Sequence, residues 1–271
     1  MILKMLSLMK LTFKEGARER AILGIGLFAL LMMCASFIVV NFFMRDLHKV
    51  AVDINLSAIG LAGLLLTFFV SINLLSMDID KHTIYCVLSK PFSRSQYIWG
   101  KYLGIMLIIT AAFFILTVCS SINILLIKSQ YAVWFQRFSW MEFYKAVYAS
   151  LLMFFLLNAI VIFFSTITTS SFLTLLFSIS TYIAGQTIEE VVMFLKTSGA
   201  EEMALSGGVE KLIGIAQYIL PNLSAFDLKV QASHAIIVSN SYMMGITFYS
   251  AFYSTILIFA ATLIFNKREL M

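Results

Sequence analysis

Six apolar runs, each about 20 residues long, constrain the fold of this chain more than any other feature. They cover residues 21–44, 56–77, 102–127, 146–168, 171–188 and 245–265. A run of this length can cross the hydrocarbon core as an α-helix, whereas a strand of a membrane barrel would alternate apolar and polar residues. The sequence therefore predicts an all-α integral membrane protein with six transmembrane helices.

The composition supports a multi-pass membrane protein and excludes a soluble one. Of the 271 residues, 61% are hydrophobic and 12% are charged, against a charged fraction of about 25% in soluble domains. We expect residues 1–271 to form a single transmembrane domain. The net charge of +5 follows the loops between the apolar runs, so it predicts contact with a lipid bilayer and no nucleic-acid partner.

The distribution of Lys and Arg predicts how the chain is oriented. With the N-terminus in the cytoplasm, the cytoplasmic segments hold eleven cations and five acids, while the opposite side holds eight cations and nine acids over a longer stretch. Positive residues favour the cytoplasmic side. We therefore expect both termini and the 78–101 loop to be cytoplasmic, in an inner (cytoplasmic) membrane.

Residues 1–20 are predicted to form an interfacial amphipathic helix. Its polar positions recur every three or four residues, at Lys4, Ser7, Lys10, Lys14 and Arg18. Its apolar positions are Ile2, Leu3, Leu6, Met9 and Phe13. This pattern is typical of a helix that lies among lipid headgroups, although a basic anchor that only fixes topology would have the same pattern.

The segment 189–244 is the one large external segment that the pattern predicts. It contains an amphipathic run over 209–220, broken by Pro221-Asn222. We expect one or two short helices here, interfacial or re-entrant, before the last span. A gate at this position and a passive cap on the bundle both fit the sequence.

The chain lacks the motifs of several catalytic and binding classes. It contains no GxxxxGK[ST] phosphate loop, no HExxH and no GxSxG. No ionisable residue lies in the middle of a predicted span, which disfavours proton coupling. We therefore expect a non-catalytic chain with no cofactor and no metal of its own, whose energy comes from another subunit.

Four residues are predicted to support helix packing within the membrane. Asn73 and Asn158 lie in apolar spans, where an amide most often joins two helices by a hydrogen bond worth about 1 kcal/mol. Gly100 and Gly104 form a GxxxG pattern at the start of the third span, which allows a close helix contact.

The 78–101 loop is a short, charged segment between two uncharged spans, and it is the best candidate for a docking site. Residues 83–88 favour a short helix that Pro91 would end, and Ser93 could cap the helix that follows. Lys90 and Arg94 would face a partner or lipid phosphates. Cations that only fix topology are the alternative.

The stretch 78–104 resembles the signature loop of the type-2, exporter-type ABC permeases. The matching residues are Asp80, Thr83, the run VLSKPFSR at 87–94, Gly100-Lys101 and Gly104. A second similarity is the run LPNLSAFD at 220–227, which resembles a family segment before the last span. His82 stands where the family usually has Gly, so the geometry of the loop is not assumed to be the same.

This resemblance implies a permease subunit that pairs with a separate P-loop ATPase, which binds ATP and Mg²⁺. It also implies a second permease copy, identical or similar. The loop would then act as a coupling helix on the ATPase, with the contact residues Asp80, Thr83, Leu88, Lys90, Pro91, Phe92 and Arg94.

Two other functions remain open from the sequence. One is a mechanotransmission subunit that relays ATP hydrolysis to an external partner through 189–244, without transport. The other is an ATP-independent transporter. An intramembrane enzyme is disfavoured because no catalytic constellation is visible. The Phe-rich spans fit a hydrophobic substrate and a bulky lipid-facing surface equally, so the sequence leaves the substrate unidentified.

Overall fold

The computed structural model describes residues 2–18, 20–40, 46–76, 93–196 and 220–267, together with residues 42, 214 and 217. These residues form helices and turns and contain no strand. The helices are α1 (Ile2–Gly16), α2 (Arg20–Val40), α3 (Leu47–Ser71), α4 (Arg94–Gln130), α5 (Trp140–Ile167), α6 (Ser171–Lys196), α7 (Lys229–Ser233) and α8 (Asn240–Lys267). A π-helical turn, Ile72–Ser76, continues α3.

Six of these helices, α2, α3, α4, α5, α6 and α8, are long and apolar enough to cross a membrane. The predicted all-α class and the six spans are therefore confirmed. The helix α1 packs on the start of α4, and Arg94 at that start contacts Asn266 near the end of α8. Both terminal helices thus contact the first turns of α4 at one end of the bundle, which we call the termini end, and the other end is the loop end.

Several spans are longer than their apolar runs. The second begins at Leu47 and the third at Arg94, instead of 56 and 102. The predicted 78–101 loop therefore ends near Ser93, and the fifth and last spans reach into the predicted 189–244 segment. One polar side chain in such a helix end bonds to its own helix: the Asn55 Nδ2 donates to Ala51 O at 2.8 Å.

The fourth span, α5, is the centre of the bundle. It packs against α3, α4, α6 and α8, and both α3 and α5 are far more buried than α2 or α6. Its sequence is apolar on every face, as expected of a helix surrounded by others. Asn158 joins α5 to its neighbours: its Oδ1 accepts from Ser71 Oγ at 2.9 Å and its Nδ2 donates to Tyr102 O at 3.4 Å.

Gly63 allows a close contact between α3 and the neighbouring helices. A Cβ at Gly63 would lie 2.4 Å from Phe154 Cε2 and 2.7 Å from Phe113 Cε2. Those two rings are themselves in contact, with centroids 5.5 Å apart, and both are almost fully buried. One turn away, a Cβ at Gly60 would meet nothing within 4 Å.

We expect Gly63→Ala to destabilise the bundle by about 1–3 kcal/mol, because both rings must move within a packed core. Gly60→Ala is the matched control on the same helix, and it should be neutral or stabilising by about 0.5–1 kcal/mol. Thermal unfolding midpoints of the detergent-solubilised variants measure the difference. Equal midpoints would contradict the packing described here.

Candidate functional site

The predicted coupling segment lies mostly outside the described residues. This applies to Asp80, Thr83, Leu88, Lys90, Pro91 and Phe92. Both of its flanks are described, and both are well anchored. On one side Leu74 and Leu75 are buried in the π-helical turn, and on the other side α4 begins after Ser93.

Ser93 fixes the start of α4 through a capping box. Its Oγ accepts from Gln96 N at 3.3 Å, and the Gln96 Oε1 accepts from Ser93 N at 3.2 Å. The predicted N-cap is therefore confirmed. A cap of this type contributes about 1 kcal/mol, and it defines the residue at which the coupling segment joins a rigid helix.

Arg94 contacts the last span. Its Nη1 donates to Phe265 O at 3.0 Å and to Asn266 O at 3.3 Å, and its guanidinium lies 5.9 Å from the Phe265 ring centroid. Carbonyls in the last turn of a helix lack partners within that helix. One turn along α4, the buried Tyr97 stacks on Phe265 at 6.2 Å. Arg94 and Tyr97 together join the start of α4 to the end of α8.

Gly100 and Gly104 lie against α1. A Cβ at Gly100 would be 2.7 Å from Leu8 Cδ2, and a Cβ at Gly104 would be 2.6 Å from Thr12 Cβ. Gly16 repeats the close contact from the α1 side, where a Cβ would be 2.3 Å from Ile108 Cδ1. Small residues thus let the two helices approach closely, as small-xxx-small patterns do in membranes.

Lys101 lies within this seam as a buried cation. Its side chain is 4% exposed, and its Nζ forms an ion pair with Glu15 Oε2 at 3.2 Å. The ammonium also lies 5.9 Å from the Tyr97 ring centroid. Separating α1 from α4 would leave the Lys101 ammonium buried without its partner, which is costly. The pair therefore holds the C-terminal turn of α1 against α4. From the sequence, Lys101 was a cytoplasmic cation and part of the Gly100-Lys101 match, with no predicted partner.

The contacts of α1 show which of its residues face the protein. Leu6, which was assigned to the apolar face, is exposed at the protein surface, as is Leu11, and a lipid-facing side of an interfacial helix is exposed in the same way. The buried positions are Leu8, Thr12 and Gly16, spaced four residues apart. Thr12 and Gly16 carry no strong hydrophobic signal, so their burial follows from the fit to α4. Lys10, Lys14 and Arg18 are exposed, which is compatible with the predicted headgroup contact.

The remaining predicted packing residue, Asn73, lies in the π-helical turn Ile72–Ser76 and is half-buried. Thus Arg94, Gly100 and Gly104 lie at one junction, whereas Asn73 and Asn158 lie on other helices. Among the described residues, no group of three His, Cys, Asp or Glu side chains could hold a metal ion.

At the loop end, the 221–227 turn is fixed to α6 and α8. The Glu189 Oε2 accepts from Ser224 Oγ at 2.6 Å and from Asn222 Nδ2 at 3.1 Å. Within the turn, the Leu223 backbone N–H donates to Gly185 O of α6 at 2.9 Å. The turn lies so close to α6 that a Cβ at Gly185 would be 2.6 Å from Pro221 O. The run LPNLSAFD at 220–227, which resembles a family segment, therefore packs into the bundle with Leu223 and Phe226 buried.

Two tyrosines of α8 complete that attachment, and an ion pair fixes the following loop. The hydroxyl of Tyr249 accepts from Asn222 N at 2.9 Å, and that of Tyr242 donates to Ala225 O at 2.6 Å. At the start of α5, the Glu142 Oε2 accepts from Val238 N at 3.0 Å and the Lys145 Nζ donates to Val238 O at 2.6 Å. Glu142 and Lys145 are also paired at 2.9 Å.

We expect Gly104→Ile to loosen α1 from α4, since the new Cβ would also lie 3.1 Å from the backbone oxygen of Met9. Backbone amides of α1 should then exchange hydrogen several-fold faster by mass spectrometry, while those of α8 stay protected. Gly26→Ile is the control, because a Cβ there meets nothing within 4 Å. Unchanged exchange in α1 would contradict the seam.

Comparison with known proteins agrees with this architecture. The family model described as ABC-2 family transporter protein matches residues 6–270. No curated protein matches the chain. Members of this family are membrane-spanning permease subunits of ABC transporters that work with an ATPase subunit. The match covers all six spans as well as the seam between α1 and α4, and the chain belongs to the ABC-2 family of transporter proteins.

Proposed function

We propose that this chain is the permease of an ATP-driven exporter in the inner (cytoplasmic) membrane. Two permease copies, identical or similar, would pair with two P-loop ATPase subunits that bind ATP and Mg²⁺, and this chain would bind no cofactor. The termini end would face the cytoplasm, in keeping with its excess of Lys and Arg. The coupling segment would then lie on the same side as the ATPases.

The observation that carries this proposal is the junction at the start of α4. The capped residue Ser93 joins the coupling segment to α4, α4 holds α1 through Gly100, Gly104 and Lys101, and Arg94 holds the end of α8. A displacement of the segment would therefore move three helices together. An ATPase that pushes on one short segment needs such a connection to change the shape of the bundle.

Within this function, Arg94 is proposed as a transmitting residue, because its guanidinium bonds to α8. The ATPase contacts would come from the other segment residues: Asp80, Thr83, Leu88, Lys90, Pro91 and Phe92. Leu88 and Phe92 would fill an apolar cleft, and Lys90 would add a charge-assisted contact.

Two variants separate docking from transmission. We expect Leu88→Asp to lose the ATPase from affinity-purified preparations. Arg94→Gln should retain the ATPase but lose several-fold in substrate-stimulated ATP turnover, because hydrogen bonds from a charged group are worth about 1.5–3 kcal/mol. Stoichiometry by mass spectrometry and ATPase assays in nanodiscs provide the measurements.

Arg137→Gln is the control, since Arg137 is exposed at the loop end and should change neither property. Loss of the ATPase from Arg94→Gln would make Arg94 a docking residue instead. A functional preparation of the wild-type chain without any ATPase would favour an ATP-independent transporter.

A further inference from the structure

A cavity of about 290 Å³ opens between the second and fifth spans near the loop end. Its walls come from α3, α5 and α6, and the end of the 221–227 turn closes one side together with Lys229. The lining includes Ser57, Gly60, Leu61, Gln186, Asp227 and Lys229. Its volume is at the lower end of the roughly 300–1,000 Å³ that small-molecule sites occupy.

The cavity lies beside α6. This helix packs along α5, and it meets the Ile72–Ser76 turn at one level and the Ser224–Phe226 turn at another. Between those two levels α3 presents Ser57 and Gly60 to the gap. A Cβ at Gly60 would meet nothing within 4 Å, so this glycine borders open space, unlike Gly63 one turn away.

The polar groups in the cavity are suited to a ligand. The Gln186 Nε2 donates to the Met153 sulfur at 3.2 Å, and a thioether is a weak acceptor. A ligand oxygen would be a stronger acceptor for the same N–H. Tyr182 interacts with Gln186 from the preceding turn, and both side chains are half-buried in the cavity wall.

The charges at the cavity balance. The Lys229 Nζ lies 3.4 Å from the Asp227 Oδ2, and each side chain is more than a third exposed. An opposed pair of this kind can meet one positive and one negative group of the same ligand. A ligand with a net charge would lack this complementarity.

The apolar side of the cavity continues toward the outer surface of the bundle. Leu61 and Leu64 follow Ser57 and Gly60 along the same face of α3, and Leu61 is 39% exposed. An exposed leucine on a membrane-spanning helix is chemically matched to lipid tails. A molecule with its head in the cavity could therefore keep an acyl chain in the bilayer.

We propose that the cavity binds the compact, zwitterionic head of an amphiphile whose apolar chain lies along α3, and that this amphiphile represents the substrate class. The assignment of this amphiphile as the substrate class rests on the proposed transport function. Gln186 would donate to an oxygen of the head, Asp227 would attract its cationic group and Lys229 its anionic group. The cavity is too small for a whole lipid, so the chain must remain outside it.

The test uses the permease–ATPase complex in nanodiscs and a lysophosphatidylcholine with a photoreactive group near the head. We expect this probe to label peptides that contain residues 57–64 and 182–186. A lysophosphatidylglycerol with the same acyl chain carries a net charge, and we expect it to label these peptides about tenfold more weakly. Gly60→Leu should lower labelling by the zwitterionic probe by a similar factor, because its side chain fills the cavity. Gly26→Leu is the control and should leave labelling unchanged, because Gly26 lies in the first span and a Cβ there also meets nothing within 4 Å.

Gln186→Leu is a second variant that removes the amide while keeping the volume, and it should also lower labelling. Labelling of these peptides that is unaffected by Gly60→Leu and Gln186→Leu, or equal for the two probes, would overturn the proposal. Basal ATP turnover separates the proposed binding site from the proposed transport function. A wild-type complex that hydrolyses ATP but fails the labelling test refutes the site alone, whereas labelling without any associated ATPase refutes the proposed function and keeps the site.

Discussion

Hydrocarbon supplies no hydrogen-bond partners, and the polar groups of this bundle are arranged accordingly. Asn158 bonds to Ser71 and to a carbonyl of α4 in the middle of the bundle. Arg94 and Lys101, near its termini end, bond to α8 and α1. The same requirement that removes these groups from lipid thus connects helices that are distant in sequence. The bundle gains its specific contacts where its sequence is least apolar.

The helices divide into a packed centre and a less covered periphery. The most hydrophobic windows of α3 and α5 are 67% buried, against 22% for those of α2 and α6. Phe113 and Phe154 fill the space beside Gly63, so the centre leaves little freedom to move. The fifth span instead holds to its neighbours through separated contacts and leaves a cavity between them. The α6 side is therefore less constrained by packing than the centre of the bundle.

Apolar runs and local motifs were sufficient to predict the six spans and the Ser93 cap, because both depend on residues close in sequence. The ends of the spans were not predictable in this way. Lys101 was taken for a loop residue because its partner, Glu15, lies 86 positions away. The acceptors of Arg94 are 171 and 172 positions away, and they are backbone atoms that no motif marks. The burial of Thr12 and Gly16 against α4 was not predicted, because neither residue carries a strong hydrophobic signal.

The contact between Arg94 and α8 has a consequence for how this family diverges. Its acceptors are the carbonyl oxygens of Phe265 and Asn266, and every amino acid at those two positions supplies the same carbonyl. The guanidinium is therefore constrained, while the side chain of Asn266 is free to drift without breaking the bond. Correlated substitutions between positions 94 and 266 should then be absent from related chains, and methods that infer contacts from covariation would miss this bond.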